Sequence, residues 1–274
     1  MRKAKIGSLI KRIIVLLCAF IYLIPLYVAI VNSVKTDAEV IISPLALPST
    51  ITFDNFVFAF ESADMLALYR NSIVITVCSV FLLIIISSMA AYVLARRTGK
   101  IYTIMYVFSL VGIMVPPVVT LIPSIQTLQF FGLLHTMPGL FLFYGGTYFS
   151  LGIFFYVNFI KTIPVSFDEA ASIDGASQFS IFFRIILPLL RPCTVTVVIL
   201  LGMWIWNDFL NPMYILGQGG LTITTGVHRA IGPYSARWNI VFANVILASA
   251  PVILMYLFLQ KHFMKGMTAG AIKG

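Results

Sequence analysis

The chain has 274 residues, of which 60% are hydrophobic and only 10% charged, and its mean hydropathy is +1.02. A soluble domain carries about 25% charged residues, so the composition sets this chain apart from soluble globular proteins and points to an all-α protein that crosses a bilayer several times. The formal charge of +9 does not signal nucleic acid, because the basic residues sit in short connections, where they control topology.

A helix needs about 20 apolar residues to cross a bilayer. Six stretches qualify: about 11–33, 71–95, 101–123, 137–160, 193–216 and 239–260. The first follows a basic N-terminus. It is too long for a signal h-region and has no clear cleavage site, so it is read as a span. With the N-terminus inside, every Lys and Arg except Lys35, Arg70, Arg229 and Arg237 falls on the inner side. This asymmetry predicts that both termini are cytoplasmic.

In the first outer segment, Asp54 is expected to cap a short helix through Phe56, Val57, Phe58 and Phe60 that lies flat at the interface. Pro116-Pro117 interrupts the third span, either as a packing kink or as a bend beside a translocation path. The fourth span opens at Met137-Pro138 and carries Gly139, Gly145, Gly146 and Gly152. Small residues let helices approach closely, which places this span inside a bundle. Thr147, Tyr148 and Ser150 are its weaker pore candidates.

The fifth span holds the most polar patch. Trp204, Asn207, Asp208 and Asn211 recur at i, i+3, i+4 and i+7, one face of a helix. A carboxylate at mid-membrane costs roughly 2.5–3.5 kcal/mol on the insertion scale, so Asp208 is expected in the outer half. Two readings stand: a polar path lined with Trp204 or Trp206 as a stacking ring, or a hydrogen-bonded seam between helices. Cys18, Cys78 and Cys193 lack metal spacing and read as small buried hydrophobes, and His135, His228 and His262 lie too far apart in sequence for a metal site. The outer segment 217–238 carries two Gly-rich turns, and 261–274 reads as a short, frayed basic tail.

The segment 162–192 stands out. It carries Asp168, Glu169 and Asp174, a turn glycine at Gly175, and an exit at Pro188 and Pro192. Ser166 or Asp168 can cap a short helix, with Glu169 near its positive end. Phe179, Phe182 and Phe183 follow as an apolar surface. The expected product is a compact acidic knuckle suited to a cleft on a soluble partner. Paired carboxylates doing acid–base work need a substrate cleft, which a short loop does not offer.

From Glu169 the segment reads Glu169-Ala170-Ala171, then Gly175, then Ile185-x-Leu187-Pro188. This resembles the EAA loop of permease subunits in bacterial ATP-binding-cassette importers. Trp206-Asn207-Asp208-Phe209-Leu210, followed by Pro212, is similar to the fifth span of carbohydrate-type permeases. The tail from Gly266 to Gly274 is similar to the end of MalG-like subunits. The resemblance covers essentially the whole chain and implies one transmembrane permease domain over 1–274 that moves a sugar or oligosaccharide by alternating access. It implies that Glu169, Ala170, Ala171, Asp174, Gly175, Ile185, Leu187 and Pro188 form the contact with an ATPase. Thr268, Ala269 and Gly270 in the 261–274 tail would reach the ATPase dimer interface.

Implied partners are a second, MalF-like permease subunit, two ATP-binding-cassette subunits and an extracytoplasmic sugar-binding protein, all at the bacterial cell membrane. The chain would bind no cofactor, leaving ATP and Mg to the ATPase. Consistent with that, it contains no Gly-x-x-x-x-Gly-Lys-Ser/Thr phosphate cradle. The alternative is an ion-coupled secondary transporter. It would call for paired ionisable residues at mid-membrane, and Asp208 has no obvious partner in the sequence.

Overall fold

The computed structural model describes residues 2–217, 222–230 and 237–271, with side chains over 11–217, 222–229 and 237–258. Among the described residues the secondary structure is helical throughout. Four helices are long and apolar enough to cross a membrane, and two further bent pairs bring the number to as many as six. The chain divides into two compact units, Met1–Leu66 with Gly226–Pro251 and Ala67–Thr225 with Val252–Gly274.

The first unit contains α1 (Arg2–Ser33), α2 (Asp37–Ile42), α3 (Asp54–Ser62) and the start of the last long helix, α14 (Trp238–Ala271). From Ile13 to Leu26 the apolar side chains of α1 are exposed, as a lipid-facing helix requires. Its other end is tied down by polar groups. Asn55 Nδ2 donates to the carbonyls of Ser33 and Lys35 at 2.9 and 2.7 Å, and Asn239 Nδ2 donates to Asn55 Oδ1 at 2.7 Å. These bonds satisfy carbonyls that a helix end leaves open. Lys35 is fully buried, its ammonium held by the carbonyls of Ser43 and Ala46. Asp54 does not cap α3. It is the first helical residue, and Thr52 Oγ1 accepts from its backbone N–H. Val57, Phe58 and Phe60 are exposed, while Phe56 packs on Ala59, Ile240 and Ala243.

The second unit is built on α4 (Met65–Arg96), α5 (Lys100–Met114), α6 (Pro117–Phe130) and α7 (Met137–Ile160). Helix α7 is the buried centre. Thr136 caps it by accepting from the Gly139 N–H at 3.1 Å, with Pro138 in the first turn. A Cβ on Gly152 would lie 2.6 Å from Ser87 Oγ of α4, so only glycine permits this approach. The stretch 101–123 is not one continuous helix. Helix α5 ends at Met114 and α6 turns away from it by 103°. Pro117 lacks the N–H that would continue α5, and the residue before a proline is driven to extended backbone: Val115 and Pro116 both adopt it.

After α7 come α8 (Ser166–Ile173), α9 (Gln178–Ile181), a π-helical turn at Phe182–Ile186 and α10 (Leu187–Leu189). Pro188 cannot bond back to Arg184, and the widened turn accommodates that loss. A 72° bend then leads into α11 (Arg191–Asn207). Two further short helices, α12 (Leu210–Ile215) and α13 (Ile223–Ala230), precede α14. The Gly-rich turns anticipated in 217–238 fall largely outside the described residues. The tail does not fray after Lys261: α14 continues through Thr268, Ala269 and Gly270 to Ala271, although their side chains and residues 272–274 lie outside the described part.

Candidate functional site

Two places in the second unit gather polar side chains that helices of this apolarity would otherwise exclude. The first is α8 and its anchor. Two positive-end carboxylates, Asp168 and Glu169, occupy the first turn of α8. The cap is Val165, without a side-chain bond, so neither Ser166 nor Asp168 caps as expected. Asp168 is buried instead. Tyr92 Oη donates to Asp168 Oδ1 at 2.6 Å, and Arg96 Nη2 lies 2.9 Å from Asp168 Oδ2. The ion pair is only 11% and 12% exposed at its two side chains. Arg96 Nη1 also donates to the carbonyls of Ile163 and Ile160, at 3.0 and 3.4 Å. One guanidinium thus joins the end of α4, the end of α7 and the first turn of α8. Sequence reasoning placed Arg96 among topology charges and missed this role, since nothing local links residues 72 positions apart.

Beyond the anchor, α8 presents Glu169, Ala170 and Asp174 to the outside, while Ala171 is buried. Phe167 and Ile173 are also exposed, Ile173 at 86%. Helix α8 ends at Ile173 with Asp174 as its cap, and Gly175 follows with φ of +81°. The Ala176 N–H returns to Ala171 O at 3.0 Å and the Gly175 N–H to Ser172 O at 3.1 Å, a left-handed helix stop that favours glycine. The second half of the segment is not part of the protruding knuckle. Ile181, Phe182 and Ile186 are buried in the core, and Phe182 packs on Tyr92 at 5.5 Å. Ile185 and Leu187 are half-buried and Pro188 is exposed. Of the three phenylalanines expected on the surface, only Phe179 is fully outside.

The second place lies at the other end of α11, about 25 Å from Arg191 for 17 residues at roughly 1.5 Å each. Trp204, Asn207, Asp208 and Asn211 do not share one helix. Helix α11 ends at Asn207, Asp208 is extended at ψ of 128°, and Asn211 belongs to α12. They still converge, since all four line a cavity of about 370 Å³ together with Tyr148, Pro117 and Val118. The break at Pro116-Pro117 therefore borders the polar patch. Thr147 and Ser150 face a neighbouring cavity of about 480 Å³, which Pro117 also touches.

Asp208 is partnered, contrary to the sequence reading. Tyr144 Oη donates to its Oδ2 at 2.9 Å, and Asn211 Nδ2 donates to the same oxygen at 2.5 Å. Tyr148 stacks on Tyr144 and touches Trp204 at 5.7 Å between ring centroids. Trp204 is half exposed and lines the cavity, whereas Trp206 is buried. Tyr144 had no signal in the sequence beyond being a polar-tipped aromatic four residues before Tyr148. Asn211 Oδ1 is buried without a hydrogen-bond partner in the wall of this cavity. Among the described residues no group of His, Cys, Asp and Glu could hold a metal ion.

Among the described residues, helices only, broken apolar spans, a polar cavity beside the end of α11 and an anchored acidic helix define a multi-pass membrane protein of transporter type. Residues 83–269 match the family described as "Binding-protein-dependent transport system inner membrane component", and the chain belongs to that family. It is 35% identical, over the full length of both chains, to a probable starch degradation products transport system permease protein, AmyC, of Thermoanaerobacterium thermosulfurigenes. It is 34% identical, again over both full lengths, to the melibiose/raffinose/stachyose import permease protein MelC of Bacillus subtilis. In fold it is similar to a chain in the crystal structure of a bacterial ABC transporter involved in the import of the acidic polysaccharide alginate. That likeness has a TM-score of 0.86 at 21% identity and covers 96% of this chain and 98% of the other.

Proposed function

We propose that the chain is one permease subunit of an ATP-driven importer in the bacterial cell membrane, passing a sugar or oligosaccharide received from an extracytoplasmic binding protein. The family description and the sugar-transport names of the full-length relatives support this reading. The observation that carries it is α8. The Glu169-Ala170 pair and Asp174 stand outward beside exposed Phe167 and Ile173, on a helix whose base is locked by an ion pair. Such a face, apolar with acidic flanks, suits a cleft on an ATPase subunit. Two such ATPase subunits would supply the hydrolysis with their own ATP and Mg, and a second permease chain would complete the path. The α8 end would face the cytoplasm with both termini, as the distribution of Lys and Arg favours.

In this reading the cavity at Asp208 is a stage on the sugar's route. Trp204 and Tyr148 offer ring faces, and Asn207, exposed on the cavity wall, offers hydrogen bonds. ATP-driven closure of the ATPase pair would push α8, and the membrane helices would open alternately to each side. The test is uptake of maltodextrins and raffinose-type sugars into vesicles carrying the chain with its second permease, ATPase and binding protein. Uptake should require ATP and persist when ion gradients are collapsed. Uptake that follows an ion gradient without ATP would overturn the proposal in favour of ion-coupled transport.

A further inference from the structure

The Arg96 junction has a geometry that ordinary anchoring of a loop does not need. A loop can be fixed by one contact. Here a single fork joins separate chain segments at once: α4, to which Arg96 belongs, the carbonyls of Ile160 at the end of α7 and of Ile163 in the connection that follows, and Asp168 in the first turn of α8. Tyr92, one helical turn before Arg96, takes the other oxygen of the same carboxylate and packs its ring, tilted, against Phe182 at the π-helical turn. The carboxylate is therefore gripped on both oxygens from α4. A guanidinium carries donors in a rigid planar fork, and this planarity lets it serve two directions together. Its positive charge also complements the carbonyl end of α7. The neighbouring acidic residue Glu169, one position on, shares none of this and points outward.

We propose that Arg96, Asp168 and Tyr92 form the joint that carries displacement of α8 into α4 and α7, so that Arg96 is a positioning residue for coupling rather than a docking residue. The inference rests on the importer reading above. If α8 is pushed by a partner, the push reaches α4 and α7 together because Arg96 holds both to Asp168. A lysine at 96 keeps the charge opposite Asp168, but its ammonium cannot also hold the carbonyls of Ile160 and Ile163 in the same fork geometry. A phenylalanine at 92 keeps the ring against Phe182 and removes the second grip on the carboxylate.

The experiment uses the complete complex in proteoliposomes with its binding protein, measuring sugar taken up per ATP hydrolysed. For Arg96→Lys and for Tyr92→Phe the complex is expected to assemble with its ATPase subunits in normal amount. The ratio of uptake to hydrolysis should fall, by about tenfold for Arg96→Lys and less for Tyr92→Phe. Glu169→Lys serves as the contrast, losing ATPase association itself. An unchanged ratio in Arg96→Lys overturns the proposal. So does loss of uptake in step with loss of assembled complex, which is the mark of a merely structural contact. If the unmodified complex shows no ATP-dependent uptake, the importer reading has failed, and that outcome is recognised before any variant is measured.

Discussion

The second unit holds two sequestered carboxylates, each bonded to a tyrosine, and they are built to opposite ends. Asp168 meets Tyr92 and a cation, Arg96, in an almost closed site. Asp208 meets Tyr144 and an amide, Asn211, on the edge of a cavity. Removing one partner of a buried ion pair leaves the other charge uncompensated, so the Asp168 pair is costly to break. Asp208 has no cation at hydrogen-bond distance among the described residues and stays half-exposed on the wall of the cavity. The same pairing of tyrosine and aspartate is thus closed against a cation in one place and borders a cavity in the other.

The comparison breaks most easily under identical substitutions. Asp168→Asn should lower stability by about 3 kcal/mol, because Arg96 is left buried without its counter-charge. Asp208→Asn should cost less than about 1 kcal/mol, because a neutral acceptor still serves Tyr144 and Asn211. Thermal midpoints in detergent measure both, and equal shifts would erase the distinction. Next in size is Gly152→Ala. Its Cβ would meet Ser87, and overpacking of this kind costs about 2 kcal/mol even after the better helix propensity of alanine, read by the same melting experiment. Glu169→Lys should reduce ATP-dependent uptake at least about tenfold with unchanged helical circular dichroism, since the residue is exposed and supports nothing internal. Trp204→Ala should have the smallest effect, a few-fold rise in the sugar concentration for half-maximal uptake, in line with roughly 0.5–1.5 kcal/mol for a ring contact. A Trp204→Ala variant that changes stability but not uptake would favour the hydrogen-bonded seam over the path.

Much of the fold was legible because membrane helices are written in composition and length. The stretch 137–160 coincides with α7, and its glycines announced the close approach to α4 that Gly152 makes. The EAA stretch was legible as a short helix with a glycine stop, since both signals are local. Breaks were harder. Pro116-Pro117 showed that something interrupts the third stretch, but hydropathy is blind to direction, and a 103° turn and a mild kink read alike. Helical periodicity likewise carried the face through Asp208, where the chain leaves the helix. The four residues still met, because the extended step at Asp208 folds α12 back onto the same cavity.

By itself the sequence determined the class of protein, an all-helical membrane body, and the position of its short acidic helix with the glycine stop. Apolar length, glycine and the Lys and Arg distribution act over a few residues and need no partner to be read. Only the tertiary structure decided what the carboxylates do. Asp168 and Glu169 are neighbours with the same charge, yet one is clamped inside by Arg96 and Tyr92 and the other is left outside. The difference depends on which side of a short helix meets α4, and no rule along the chain sets that contact. It comes from packing elements far apart in sequence so that a buried charge finds its counter-charge.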